Sequence, residues 1–133
     1  MPASDKEIFD LLYNMLKGYY LGLIDGALRV NGIFLVAAGW VLTSSTPAAY
    51  LQAHPEARTA VISLVIVAHG LYLLIAVRAF ALSRSTTHLL GDLDYMPPKY
   101  YANHVIRPVT LAMWYFTNLI VTGGIVAALS LRA

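Results

Sequence analysis

The chain has no cysteine and little charge, and these two shortages indicate its class. None of its 133 residues is a cysteine, which excludes disulfide bonds, thiolate metal sites and a cysteine nucleophile. Charged residues make up 12% of the chain, whereas soluble domains carry about 25%. The net charge of +2 gives no basis for a nucleic-acid partner. With 59% hydrophobic residues, the composition indicates an integral membrane protein in contact with lipid.

Three long apolar stretches predict transmembrane helices. No Asp, Glu, Lys or Arg occurs between Arg29 and Glu56, and about 20 apolar residues are enough to cross the hydrocarbon of a bilayer. We place the three spans at residues 27–46, 59–82 and 108–131. The sequence therefore predicts an all-α membrane protein, with residues 1–133 forming a single integral membrane domain.

Two further segments complete this domain. Residues 4–24 begin with Ser4-Asp5-Lys6-Glu7, which has the pattern of a helix capping box. Apolar residues then recur at helical spacing while charged residues fall largely on other faces, so we expect an amphipathic helix at the membrane interface. Residues 83–107 are hydrophilic and contain Pro97-Pro98, which predicts a loop between the second and third spans.

The distribution of Lys and Arg predicts the orientation. Seven of the nine lie before or at the start of the first span or flank the 83–107 loop, and two, Arg58 and Arg132, lie on the other side. Positive residues in short loops are retained in the cytoplasm. We therefore expect the N-terminus and the 83–107 loop on the cytoplasmic side of a plasma (inner) membrane and the C-terminus outside.

Small residues form two helix faces that predict close helix contacts. Gly18, Gly22 and Gly26 are four residues apart, and Gly123 and Gly124 form a shorter patch in the third span. In lipid, such small-residue faces commonly mark the contacts between helices. The contacts can lie within one protomer, or they can join copies of the chain or other membrane subunits.

His69 is an ionisable residue near the middle of a span, where its burial costs roughly 2 kcal/mol or more unless it has a partner or a function. It lies ten residues after Thr59, and Asn118 lies ten residues after Pro108, so both are about 15 Å into the membrane. We predict a midplane polar cluster of His69, Asn118 and Thr122. The imidazole can be a neutral structural donor, a metal or haem ligand, or part of a proton or ion path.

The other polar residues do not form a recognisable catalytic set. Asp25 and Arg29 have the spacing of an intrahelical ion pair, with a headgroup or quinone site as the alternative. His88 and Asp92 share a face if that segment is helical, but no third metal ligand accompanies them. No nucleophile, base and orienting group can be assembled from these residues, so we expect no catalytic activity.

Arg29-Val30-Asn31-Gly32 at the inner end of the first span, together with a histidine in the middle of the second, resembles the cytochrome b anchor subunits of succinate dehydrogenase and fumarate reductase. In that family an arginine at the start of helix one helps to form the quinone pocket, and the helix-two histidine binds haem b. The resemblance implies Arg29 and His69 as cofactor-binding residues, whereas Asp25 stands where the family has serine.

Three functions are compatible with these features. The leading hypothesis is a small non-enzymatic membrane protein that acts as an oligomer or as a subunit of a larger membrane complex through its glycine-rich helix contacts. The first alternative is a haem b- or quinone-binding anchor subunit that uses His69, with the cofactor implied only by the resemblance. The second alternative is a small oligomeric channel lined partly by His69, Asn118 and Thr122.

Overall fold

The computed structural model of the chain describes residues 4–131 and contains no β-strand within that range. Its helices are α1 (Asp5–Thr43), α2 (Ser45–Ala53), α3 (Pro55–Leu93) and α4 (Pro108–Leu131), with two short 3-10 turns between α3 and α4. α1, α3 and the segment containing α4 are long and apolar enough to cross a membrane. The predicted all-α chain with three potential spans is confirmed, and Arg132 lies outside the described residues.

α1 is one continuous helix where the sequence analysis expected two. The capping box forms at its start, because the Glu7 backbone N–H donates to Ser4 Oγ at 3.3 Å and the Ser4 N–H donates to Glu7 Oε2 at 2.8 Å. The helix then runs 39 residues without a break at Gly26, since a helical glycine costs only about 1 kcal/mol. At ~1.5 Å per residue, α1 is roughly 58 Å long and exceeds the ~30 Å of hydrocarbon. The interfacial position of its first half stays a prediction.

α3 also extends beyond its predicted span and ends at Leu93 rather than near residue 82. The added turns are held by packing, because Leu90 is fully buried against Phe9 and Leu16. Asp94 then adopts a left-handed conformation with φ 47°, and its N–H donates to the Gly91 carbonyl at 3.2 Å. The irregular connection before α4 is therefore 94–107 rather than 83–107.

The connection between the first two spans is helical as well. α2 begins at Ser45, two residues after α1 ends at Thr43, and Pro47 lies in its first turn. Proline is tolerated there because the first N–H groups of a helix have no intrahelical acceptor. His54 separates α2 from α3, and its Nδ1 lies 3.3 Å from the Glu56 carboxylate. A nine-residue helix thus occupies most of the segment between the first two predicted spans.

The long helices run through two compact units. The first unit contains residues 4–25 and 75–112, and its apolar core is formed by Phe9, Leu16, Leu90 and Tyr101. The second unit contains residues 26–74 and 113–131, with a core of Ala38, Val65, Ile125 and Leu129. The predicted polar residues of the spans lie in the second unit, whereas the irregular connection 94–107 lies in the first.

Candidate functional site

His69 lies on α3 in the second unit with only 2% of its surface exposed. Its Nδ1 is 2.8 Å from the Val65 carbonyl oxygen. Since a carbonyl oxygen only accepts, Nδ1 must carry a proton and donate it. The lone pair of the neutral ring is then on Nε2, which is buried without a hydrogen-bond partner among residues 4–131. The Phe34 ring packs against the imidazole at a centroid distance of 5.0 Å.

Asn118 on α4 has the same kind of environment. It is fully buried, and its Nδ2 donates to the Trp114 carbonyl at 3.1 Å. The Thr122 hydroxyl donates to the backbone carbonyl of Asn118 at 2.7 Å. The side-chain oxygen of Asn118 has no partner in the described part of the chain. The predicted cluster thus contains two buried polar side chains, but each one bonds the backbone of its own helix rather than a neighbouring helix.

Asn31 on α1 is a third polar side chain of this kind, and it is not among the site residues predicted from the sequence. Its Nδ2 donates to the Ala27 carbonyl at 3.0 Å, and its buried Oδ1 has no partner within the described range. In the sequence, Asn31 belongs to the Arg29-Val30-Asn31-Gly32 segment that carries the family resemblance. The overlooked feature was an amide in a charge-free stretch, equivalent to Asn118 in the third span.

These three side chains lie on the three helices that contribute to the apolar cluster of the second unit. Asn31 and Asn118 are each seven residues before a member of that cluster, Ala38 and Ile125 respectively. Seven residues correspond to two helical turns, or about 10 Å. His69 is one turn beyond the α3 member of the cluster. We refer to Asn31, His69 and Asn118 as the polar layer.

The polar layer presents three hydrogen-bond acceptors whose matching donors are already used by the helices. A buried polar atom without a partner costs about 1–3 kcal/mol. Because two amide oxygens and an imidazole lone pair all accept, they cannot satisfy one another. Chemically, each of these acceptors can bind a small hydrogen-bond donor such as water or a hydroxyl group.

The haem group implied by the family resemblance would need a cavity at His69 Nε2, the ring nitrogen that has no hydrogen-bond partner within residues 4–131. The nitrogen chemistry is suitable, since a ligating histidine usually donates its other N–H to a carbonyl or carboxylate. A cleft in the same unit, lined by residues that include Phe34 and Val65, measures ≈ 140 Å³, and His69 does not line it. Pockets for larger ligands measure about 300–1,000 Å³. Arg29, the proposed quinone contact, is exposed on α1.

The five predicted packing glycines have two different environments. A Cβ atom built on Gly26 would lie 3.3 Å from Cε2 of Tyr72, so this glycine permits a close contact between α1 and α3. The other four are exposed, and no described atom outside their own helix backbone lies within 4 Å of such a Cβ: Gly18, Gly22, Gly123 and Gly124. One glycine therefore contributes to packing inside the chain, and four leave their helix faces open.

Possible ion sites near the connection are incomplete. Within residues 4–131, no group of three or more His, Cys, Asp or Glu side chains is placed to hold a metal ion. His88 and Asp92 are both exposed on α3.

No protein family, curated protein or solved structure matches the chain. The interpretation of its sites therefore depends on the chemistry of its own residues.

Proposed function

We propose that the chain is a non-enzymatic integral membrane protein that acts as an oligomer or as a subunit of a larger membrane complex. The open faces at Gly18 and Gly22 on α1 and at Gly123 and Gly124 on α4 carry this proposal. Apolar side chains gain little by leaving lipid tails, so helices in a membrane associate mainly where small residues allow their backbones to approach. These four glycines provide such surfaces, and the packing among residues 4–131 does not use them.

The large apolar surface of the helices supports the same proposal. In the most apolar windows of the three candidate spans, 17%, 22% and 11% of the residues are buried. Exposed residues in these helices include Leu35, Val36 and Ile120. Lipid covers such surfaces well, and so does the apolar face of another membrane helix. The open glycine faces favour another helix over lipid as the covering partner, because two helix backbones can approach closely there and lipid tails gain little from such an approach.

The assembly can be tested with leucine substitutions at open glycines. We expect Gly22→Leu and Gly124→Leu to shift the protein toward the monomer or to release a co-purifying subunit, as measured by native mass spectrometry in mild detergent. Gly32→Leu and Gly70→Leu are matched controls, because both glycines are helical and exposed and have open space around the position of a Cβ. These control variants should keep the wild-type assembly.

Two results would contradict the assembly proposal. One is a wild-type protein that is monomeric and brings no other protein with it, both in detergent and after cross-linking in native membranes. The other is loss of assembly in the control variants to the same extent. A Soret band that disappears in His69→Ala would instead support the haem-binding alternative. Ion flux in proteoliposomes that is abolished by His69 or Asn118 substitutions would support the channel.

We also propose a plasma-membrane location with a cytoplasmic N-terminus. The Lys and Arg distribution supports this orientation. Seven of the nine precede or begin the first predicted span, or lie within or beside residues 83–107. The absence of cysteine makes a direct labelling test possible. Ala49→Cys in α2 should react with an impermeant maleimide on intact cells, and Asn103→Cys should react only after permeabilisation. The reverse pattern would show the opposite orientation.

A further inference from the structure

We propose that a cleft in the first unit binds the phosphate of an anionic membrane lipid. The cleft measures ≈ 230 Å³ and is bordered by the C-terminal part of α3 and the residues leading into α4. Its lining combines three basic side chains with apolar ones, including Arg84, His88, Arg107, Phe80, Val105 and Pro108. Basic groups beside an apolar wall match a phosphate attached to an acyl chain. This inference does not depend on the proposed assembly.

A buried hydrogen bond fixes the two segments that carry the arginines. The Ile106 backbone N–H donates to Ser83 Oγ at 3.2 Å, across 23 residues of sequence. Ser83 is fully buried and Ile106 is 2% exposed. Arg84 and Arg107 directly follow these two residues in the chain. The bond therefore holds the backbones that carry both guanidinium groups at one cleft before any ligand is present.

The described residues that line the cleft include no acidic side chain that could balance its positive charge. Neither Arg84 nor Arg107 forms an ion pair or side-chain hydrogen bond within residues 4–131. Asp92 lies one turn after His88 on α3 but does not line the cleft. A phosphate offers several acceptor oxygens that suit the fork of an arginine, so binding it reduces the repulsion between the two cations.

The size and position of the cleft indicate a lipid as the source of the phosphate. Its volume of ≈ 230 Å³ is below the ~300 Å³ at the lower end for drug-sized ligands. A phosphate with the first part of its chain is therefore a better match than a whole nucleotide. The cleft also lies at the end of the apolar stretch of α3 and the start of α4, and both belong to candidate membrane spans. Lipid headgroups are concentrated at such a boundary.

The test uses the full-length protein in a neutral detergent and three probes: a short-chain phosphatidylglycerol, the phosphatidylcholine of the same chain length, and inorganic phosphate. Binding is measured by titration of the thermal unfolding temperature. We expect phosphatidylglycerol to stabilise the protein at the lowest concentration. Arg84→Gln and Arg107→Gln should each weaken its binding by roughly tenfold. Arg78→Gln is the matched control, since Arg78 is exposed on α3 outside the cleft and its substitution removes the same charge.

Several outcomes would overturn the proposal. If Arg78→Gln weakens binding as much as the cleft variants, the interaction reflects net charge alone. If phosphatidylcholine binds as tightly as phosphatidylglycerol, or inorganic phosphate stabilises the protein at the same concentration, the cleft does not select an anionic lipid. Arg84→Lys with Arg107→Lys keeps both charges but loses the arginine fork, so this variant should bind phosphatidylglycerol more weakly than the wild type and more tightly than the glutamine variants. An unchanged helix content by circular dichroism is required of every variant.

Discussion

The contact between Gly26 and Tyr72 allows a prediction whose sign can be worked out from the structure. The perturbation is Gly26→Ala, which adds one methyl group to α1 at 3.3 Å from Cε2 of Tyr72. Favourable carbon contacts lie at about 3.5–4.0 Å, so the methyl group is too close by a few tenths of an ångström. Tyr72 is 5% exposed, and its ring therefore has little free space into which to move.

The magnitude follows from two opposing contributions. Replacing a helical glycine by alanine stabilises a helix by about 0.5–1 kcal/mol, whereas overpacking a buried contact costs about 1–3 kcal/mol. Gly32→Ala is the matched control on the same helix, because Gly32 is exposed and nothing lies within 4 Å of its added Cβ. The helix contribution is common to both variants. The difference in their free energies of unfolding should therefore equal the overpacking cost, with Gly26→Ala less stable by about 1–3 kcal/mol.

The assay is reversible unfolding of the purified protein in mixed micelles, followed by circular dichroism. Gly32→Ala should be more stable than the wild type, and Gly26→Ala should not. The variant Tyr72→Leu removes the ring, so adding Gly26→Ala to it should cost less than adding it to the wild type, as a double-mutant cycle would measure. If Gly26→Ala and Gly32→Ala are equally stable, α1 and α3 do not approach as described and the reasoning is wrong.

Three further substitutions can be measured in the same unfolding assay. Ser83→Ala leaves a buried N–H without an acceptor and should cost about 1–3 kcal/mol, whereas Ser85→Ala, at an exposed position, should change stability by less than about 0.5 kcal/mol; equal effects would refute the role of the Ser83 bond. Asn118→Leu keeps the branched shape of the side chain, removes an oxygen that has no described partner and should be neutral or stabilising, so a large loss would indicate that this oxygen has a partner. Leu16→Ala should cost about 2–5 kcal/mol in the first unit, far more than Leu11→Ala at an exposed position.

The membrane-spanning helices could be predicted because their physical cause is local. A run of apolar residues is sufficient to identify a helix that can cross a bilayer, since the backbone must satisfy its own hydrogen bonds there. The capping box at Ser4 and Glu7 was predictable for the same reason, as it depends on residues three apart. The burial of His69 and Asn118 was expected from their depth in apolar spans, and both are buried.

The features that the sequence analysis missed depend on contacts between distant residues. The extension of α3 to Leu93 passes through Ser, Thr, Arg and His residues, which have no apolar periodicity typical of a span. It is held by the packing of Leu90 on Phe9 and Leu16, which lie far away in the sequence. The cleft of the first unit could not be predicted for the same reason. Arg84 and Arg107 are brought to it by the bond between Ser83 and Ile106, which are also distant in the sequence. Hydropathy alone contains no information about these contacts.

The chain leaves α3 at the left-handed residue Asp94, so the number of residues in the helix sets the direction in which the following residues point. Each helical residue turns the chain by about 100° and advances it by ~1.5 Å. One residue inserted between Leu90 and Asp94 would therefore rotate everything that leaves the helix, so that Tyr95 could no longer lie 5.5 Å from the Phe9 ring. The same insertion after Met96 leaves this rotation unchanged. Natural or engineered insertions should therefore be tolerated after Met96 and selected against between Leu90 and Asp94.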